Sequence, residues 1–196
     1  MIDNFISNLQ DGIYHVLHIS AYDHILFLIV LTLPYLFKDW KRILLLITVF
    51  SIGHCISLSL VTYNIVSVNI KVISFLIPLT ILCVALFNIF TAGKKTHHNK
   101  IGLLFFVTFF LGLIHGLGFA NDLSSLISKS ENKLLAIIEI ALGIEIGQLV
   151  VAFIVIFLSF LCQTIFRFSK RDWIMVISAI VLGGVLPMLI NSDLFS

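Results

Sequence analysis

Six apolar runs, near residues 22–37, 42–62, 72–92, 101–119, 134–160 and 173–190, constrain this chain more than any other feature. A helix rises 1.5 Å per residue, so roughly 20 residues cross the roughly 30 Å hydrocarbon core of a bilayer. The runs have about that length, the first being short and the fifth long enough to tilt or to bend near Gly143 and Gly147. The expected fold is all-α, a polytopic membrane protein forming a single transmembrane helical domain over 1–196 with six transmembrane helices. A seventh helix is expected if the segment before Asp11 lies on the membrane surface, since Ile2, Phe5, Ile6 and Leu9 fall there at helical spacing; a loosely ordered tail reads equally well.

Composition agrees with the runs. The chain is 60% hydrophobic and 11% charged, with a mean hydropathy of +1.14, whereas soluble domains are roughly half apolar and about a quarter charged. A formal charge of +2 with no cluster of Lys and Arg gives no nucleic-acid footprint, so that class of partner is set aside. Cys55, Cys83 and Cys162 each lie in an apolar run and are odd in number, which fits small packed hydrophobes and not a disulfide framework. No basic n-region precedes the first run, so no cleavable signal peptide is expected.

Lys and Arg set the orientation. Nine of them (Lys38, Lys41, Arg42, Lys94, Lys95, Lys100, Arg167, Lys170 and Arg171) fall in alternate links, against three (Lys71, Lys129 and Lys133) in the others. By the positive-inside rule, a membrane protein with this pattern has both termini outside. On that topology His15, His18, Asp23 and His24 sit at the outer end of the first span, while His54 and His115 lie in the outer halves of the second and fourth. Asn121 follows His115 toward the surface, and Glu145 and Gln148 share one face of the fifth span at mid-depth.

A single histidine in an apolar helix is more often a core residue bonded to a carbonyl or hydroxyl than a ligand. Several at one depth read differently, because an ionisable group within the bilayer costs about 3 kcal/mol and tends to mark a site or pathway. Imidazole together with carboxylate suits nickel, zinc, copper or iron, whereas oxygen-only ligands would suit magnesium or calcium. Asp23 and His24, being adjacent, point about 100° apart on a regular helix. Asp23 can therefore ligate with other helices, orient an imidazole from behind, or simply cap the first span. Ser57 shares a helical face with His54 and can bind substrate or bond its own backbone. His15 belongs to the site or faces the headgroups, His97 and His98 read as solvated loop, and Glu139 reads as solvated rim. Gly112, Gly116 and Gly118 surround His115, and Gly143 and Gly147 surround Glu145; such spacing lets helix backbones approach closely, so the fourth and fifth spans are expected to pack near these residues.

The stretches "YHVLHISAYDHILFLIVL", "TVFSIGHCISLSL", "VALFNIF", "LGLIHGLGFAN" and "ALGIEIGQLVV", in this order over most of the chain, resemble the HupE/UreJ family of bacterial membrane proteins. The shared pattern falls on His18, Asp23, His24, His54, His115, Gly116, Gly118, Phe119, Ala120, Gly143, Glu145, Gly147 and Gln148. The resemblance implies a nickel or cobalt permease, or a metal-binding accessory protein, working beside hydrogenase or urease maturation proteins. Ser74 and Phe87 depart from it, standing where acidic residues would be expected.

The function expected is binding and transport of a divalent transition metal, nickel or zinc. His18, Asp23, His24, His54 and His115 are the expected ligands, with His15, Ser57, Asn121, Glu145 and Gln148 in the pathway or behind the ligands. The rival expectation is a zinc-dependent intramembrane hydrolase, in which three histidines and an aspartate leave one position open for an activated water. The alkaline-ceramidase-like membrane hydrolases resemble this arrangement loosely. A metal-storing or sensory partner is a third class. A polar path to the inner face favours transport, and a closed inner half with a lateral opening favours hydrolysis.

Overall fold

The computed structural model describes residues 2–18, 22–94, 101–127 and 132–192. Among the described residues there are seven helices and no strands: α1 (Ile2–Leu17), α2 (Tyr22–Thr32), α3 (Trp40–Thr62), α4 (Ile70–Thr91), α5 (Ile101–Ile127), α6 (Lys133–Thr164) and α7 (Lys170–Ile190). Helices α3 to α7 each contain a stretch long and apolar enough to cross a membrane, and α1 with α2 makes a sixth crossing when the pair, bent by 73°, is taken as one broken span. The all-α, membrane-embedded fold is the expected one. Its outward surface is as apolar as its core, with Phe90, Phe106, Phe153 and Ile180 all exposed, as contact with lipid requires.

The first crossing differs from expectation. Pro34 disfavours helical backbone at Leu33 and has no amide hydrogen to donate, so the run at 22–37 yields only 11 helical residues before the chain turns into the short 3-10 turn Phe37–Asp39. At 1.5 Å per residue α2 spans roughly half the hydrocarbon. Taken with α2 as one broken span, helix α1 supplies the remainder. It runs parallel to α6, with Leu9 and Gly12 against Gly143, and Ile13 and Val16 against Gly147. Val16 is wholly buried in this seam, and the Asn8 amide donates to Glu139 Oε2 at 2.6 Å. Phe5 and Ile6, which suggested a surface helix, are exposed on the outward side.

Helices α3 and α5 form a second parallel pair, with Phe50 against Gly112 and with His54 and Ser57 against Gly116. The glycine-bearing helices α5 and α6 thus barely meet each other, and each spends its small residues on a different neighbour. Gly93 against Arg171 joins the end of α4 to the start of α7, and Phe37 and Lys38 lie beside Phe160, Gln163 and Thr164 of α6. These contacts gather Lys38, Lys94, Lys170 and Arg171 at one end of the bundle, here termed the basic end.

Candidate metal centre

The centre is built at the break in the first span. In the first turn of α2, Asp23 Oδ1 accepts from the backbone N–H of His24 at 2.9 Å and from His24 Nδ1 at 3.0 Å. The carboxylate therefore both occupies the helix start and fixes the imidazole. A carboxylate only accepts, so Nδ1 carries the proton and Nε2 the free lone pair. That Nε2 lies 3.2 Å from Nε2 of His15, the last-turn histidine of α1, which stacks on Phe119. The two halves of the broken span meet through these rings.

Two further imidazoles complete the group. His24 lies 6.0 Å from His54 and 5.5 Å from His115, centroid to centroid, and His15 lies 5.9 Å from His54. The His54 backbone on α3 comes this close to α5 because Gly116 has no side chain: a Cβ there would run into Ser57 Oγ and the His54 carbonyl. His54 and His115 are 1% and 0% exposed, and both His54 nitrogens and His115 Nδ1 are buried without a hydrogen-bond partner among the described residues. Burying such groups unpaired costs on the order of 1–3 kcal/mol each, so their retention fits a site made for a ligand. Among the described residues no three His, Cys, Asp or Glu side chains are set to hold one metal ion together. The convergence is of four rings with one ligand-distance pair among them.

A cavity of about 590 Å³ leads to this group. His24 and His115 are buried in its wall, with Asp23, His15 and His18, whereas Tyr14 and Ile70 lie exposed at its margin. Toward the basic end the path is closed. Phe27 and Phe50 stack at 4.7 Å, and each packs on His115, at 4.7 Å and 5.3 Å. Ile43, Ile47, Ala152 and Ile156 form an apolar cluster in the same half.

A family model described as HupE / UreJ protein matches residues 1–191. The chain belongs to the HupE/UreJ family. No curated protein and no solved structure matches it. The match runs from the start of α1 through the end of α7, so the broken first span lies within the region shared with the family.

Within this HupE/UreJ protein the expected site residues separate. His24, His54 and His115 come together, and His15, expected in the site or at the headgroups, joins them. His18 lines the cavity with its ring 4.5 Å from that of Tyr14. Where α1 and α2 are taken as one broken span, His15 and His24 fall at its middle and not at the outer end expected for them. Ser57 donates to the His54 carbonyl at 3.0 Å and does not line the cavity.

Glu145 accepts from Thr48 at 2.6 Å, and Gln148 accepts from Ser51 at 3.0 Å. Thr48 is about 120° round α3 from His54, so Glu145 is held beside the cluster and not in the cavity wall. Glu139, read as rim, is 8% exposed and held by Asn8. Ser74 lines the cavity, and Phe87 is 61% exposed beside the buried Asn88, whose amide donates to the Val30 carbonyl at 2.7 Å. The Asn121 side chain lies outside the described ones, as do His97 and His98 altogether. Thr80, missed in the sequence, touches His115; a threonine in an apolar run ordinarily bonds its own helix and gives no signal of a site.

Proposed function

We propose that this protein binds a divalent transition metal, nickel in type, at the histidine cluster and passes it across the inner membrane. The HupE/UreJ family is associated with nickel and cobalt transport or with accessory functions. The observation that carries the reading is the His15–His24 pair backed by His54 and His115. Two nitrogens bound to one metal at about 2.0–2.1 Å stand roughly 2.9 Å apart at a right angle and roughly 3.4 Å apart at a tetrahedral angle. The 3.2 Å between the two Nε2 atoms falls in that interval. Asp23 serves as the positioning carboxylate behind His24, a recurrent arrangement at metal-bound imidazoles.

Charge supports entry from the side opposite the basic end, which the positive-inside rule assigns to the exterior. Cargo would descend the cavity past His18 and Asp23, then reach the rings. Onward passage requires Phe27 on α2 and Phe50 on α3 to part, with delivery at the basic end to hydrogenase or urease maturation proteins. Glu145 and Gln148, held against Thr48 and Ser51, are the polar groups nearest to an onward step on the α3–α6 side.

The closed half beneath the rings is also what a zinc-dependent hydrolase would have, and it supports that second reading. Uptake decides between them. Vesicles containing the wild-type protein should accumulate labelled Ni²⁺, and Glu145→Gln, which keeps an acceptor for Thr48 but removes the charge, should retain binding and lose uptake. Failure of wild-type vesicles to take up nickel, cobalt, zinc or iron under any gradient, while the purified chain holds stoichiometric zinc, would leave the hydrolase as the reading.

A further inference from the structure

We propose that Thr80 is a positioning residue of the histidine centre, acting through the tautomer of His115; the inference rests on the metal-binding reading. Thr80 lies on α4, 35 positions from His115, and its Oγ1 is 3.3 Å from His115 Nε2. The direction of that bond follows from the rest of the hydroxyl's partners. Thr80 Oγ1 donates to the Ile77 carbonyl at 2.6 Å, and a hydroxyl has one proton. With that proton committed, the hydroxyl can only accept from the imidazole. His115 must therefore carry its proton on Nε2, which leaves Nδ1 unprotonated, buried and without a partner among the described residues.

The same logic applied to His24 gives the opposite tautomer. Asp23 claims Nδ1–H there, and Nε2 keeps the lone pair that faces His15 Nε2. The centre is thus assembled from imidazoles locked in different tautomers by different elements, a carboxylate on α2 and a hydroxyl on α4. Because Ser74 and Pro78, on the turns of α4 before Thr80, line the cavity wall, α4 contributes to the centre through Thr80 without donating a ligand.

The test uses the purified full-length chain with Thr80→Val and Thr80→Ser, Ni²⁺ or Zn²⁺ alone as the probe, and ¹⁵N spectra of the imidazoles in the metal-free protein. His115→Gln identifies the His115 signals by their loss. Thr80→Val is expected to lower affinity about 10–100-fold, the usual effect of removing a group that orients a ligand. It should also shift the His115 signals toward a mixture of tautomers, while Thr80→Ser restores both. Unchanged affinity in Thr80→Val, or a His115 tautomer that is Nδ1-protonated in the wild type, overturns the proposal. If the wild type binds neither metal, the metal reading falls, and the ¹⁵N spectra still decide whether Thr80 sets the tautomer.

Discussion

His54 has two buried nitrogens without partners among the described residues, in the middle of an apolar bundle, an arrangement that a chain selected only for packing would replace with leucine. If it is a ligand, His54→Ala, His24→Ala and His115→Ala should each lower bound metal in the purified protein while elution stays monodisperse. His97→Ala with His98→Ala should leave binding unchanged. Asp23→Ala removes the acceptor that fixes His24, and titration with Ni²⁺ should show affinity lower by about 10–100-fold. Acid should act in the same direction. A ring nitrogen gives its lone pair either to a metal or to a proton, so isothermal titrations repeated at falling pH should give progressively weaker binding. Equal metal stoichiometry in all the histidine variants would leave the rings as packing.

At the scale of elements, the glycine seams determine where the rings stand. A Cβ on Gly12 would meet backbone of α6 at Ile140 and Ile144, and one on Gly143 would meet Leu9, so neither can be absorbed by a rotamer change. Gly12→Ala and Gly143→Ala should each destabilise by about 1–3 kcal/mol, the usual range for overpacking, as followed by thermal unfolding in detergent. Both should also weaken metal binding, because α1 carries His15. Gly183 is the control: it is mid-helix with nothing within 4 Å of an added Cβ, and Gly183→Ala should be neutral or stabilise by about 0.5–1 kcal/mol. The sequence makes Gly112, Gly116, Gly143 and Gly147 visible as close-approach positions, but small residues carry no information about their partner. Nor does the pattern of Ile2, Phe5, Ile6 and Leu9 separate a helix on a membrane surface from one packed on α6, since both need an apolar face. Gly12, lying on the buried side of α1, was the available signal.

For the whole molecule, the five membrane-length helices and the end at which the basic residues collect were legible because apolar length and Lys/Arg placement are read directly against a bilayer. The histidines stood out for a related reason: polar letters are costly in such runs, so those present are few. The break between Leu17 and Tyr22 was not legible as part of the crossing. It depends on α1 finding α6, a tertiary contact that carries His15 into the ring group. Sidedness is testable independently of metal. Cysteines placed at Ser67 and at Lys94, both exposed and in links at opposite ends, should be labelled from opposite faces of intact cells, with Ser67 reached from outside. The inverse pattern would reverse the entry side proposed for the cavity.

The apolar exterior has a consequence for how such chains diverge. A lipid-facing position such as Phe106 or Ile180 asks of its side chain only that it be greasy, so most of the surface can drift freely among Leu, Ile, Val and Phe. Gly12, Gly143 and Gly116 admit no such drift, because backbone or a site residue occupies the space a side chain would need. Saturation mutagenesis should accordingly find broad tolerance over the exterior and tolerance falling sharply at those glycines.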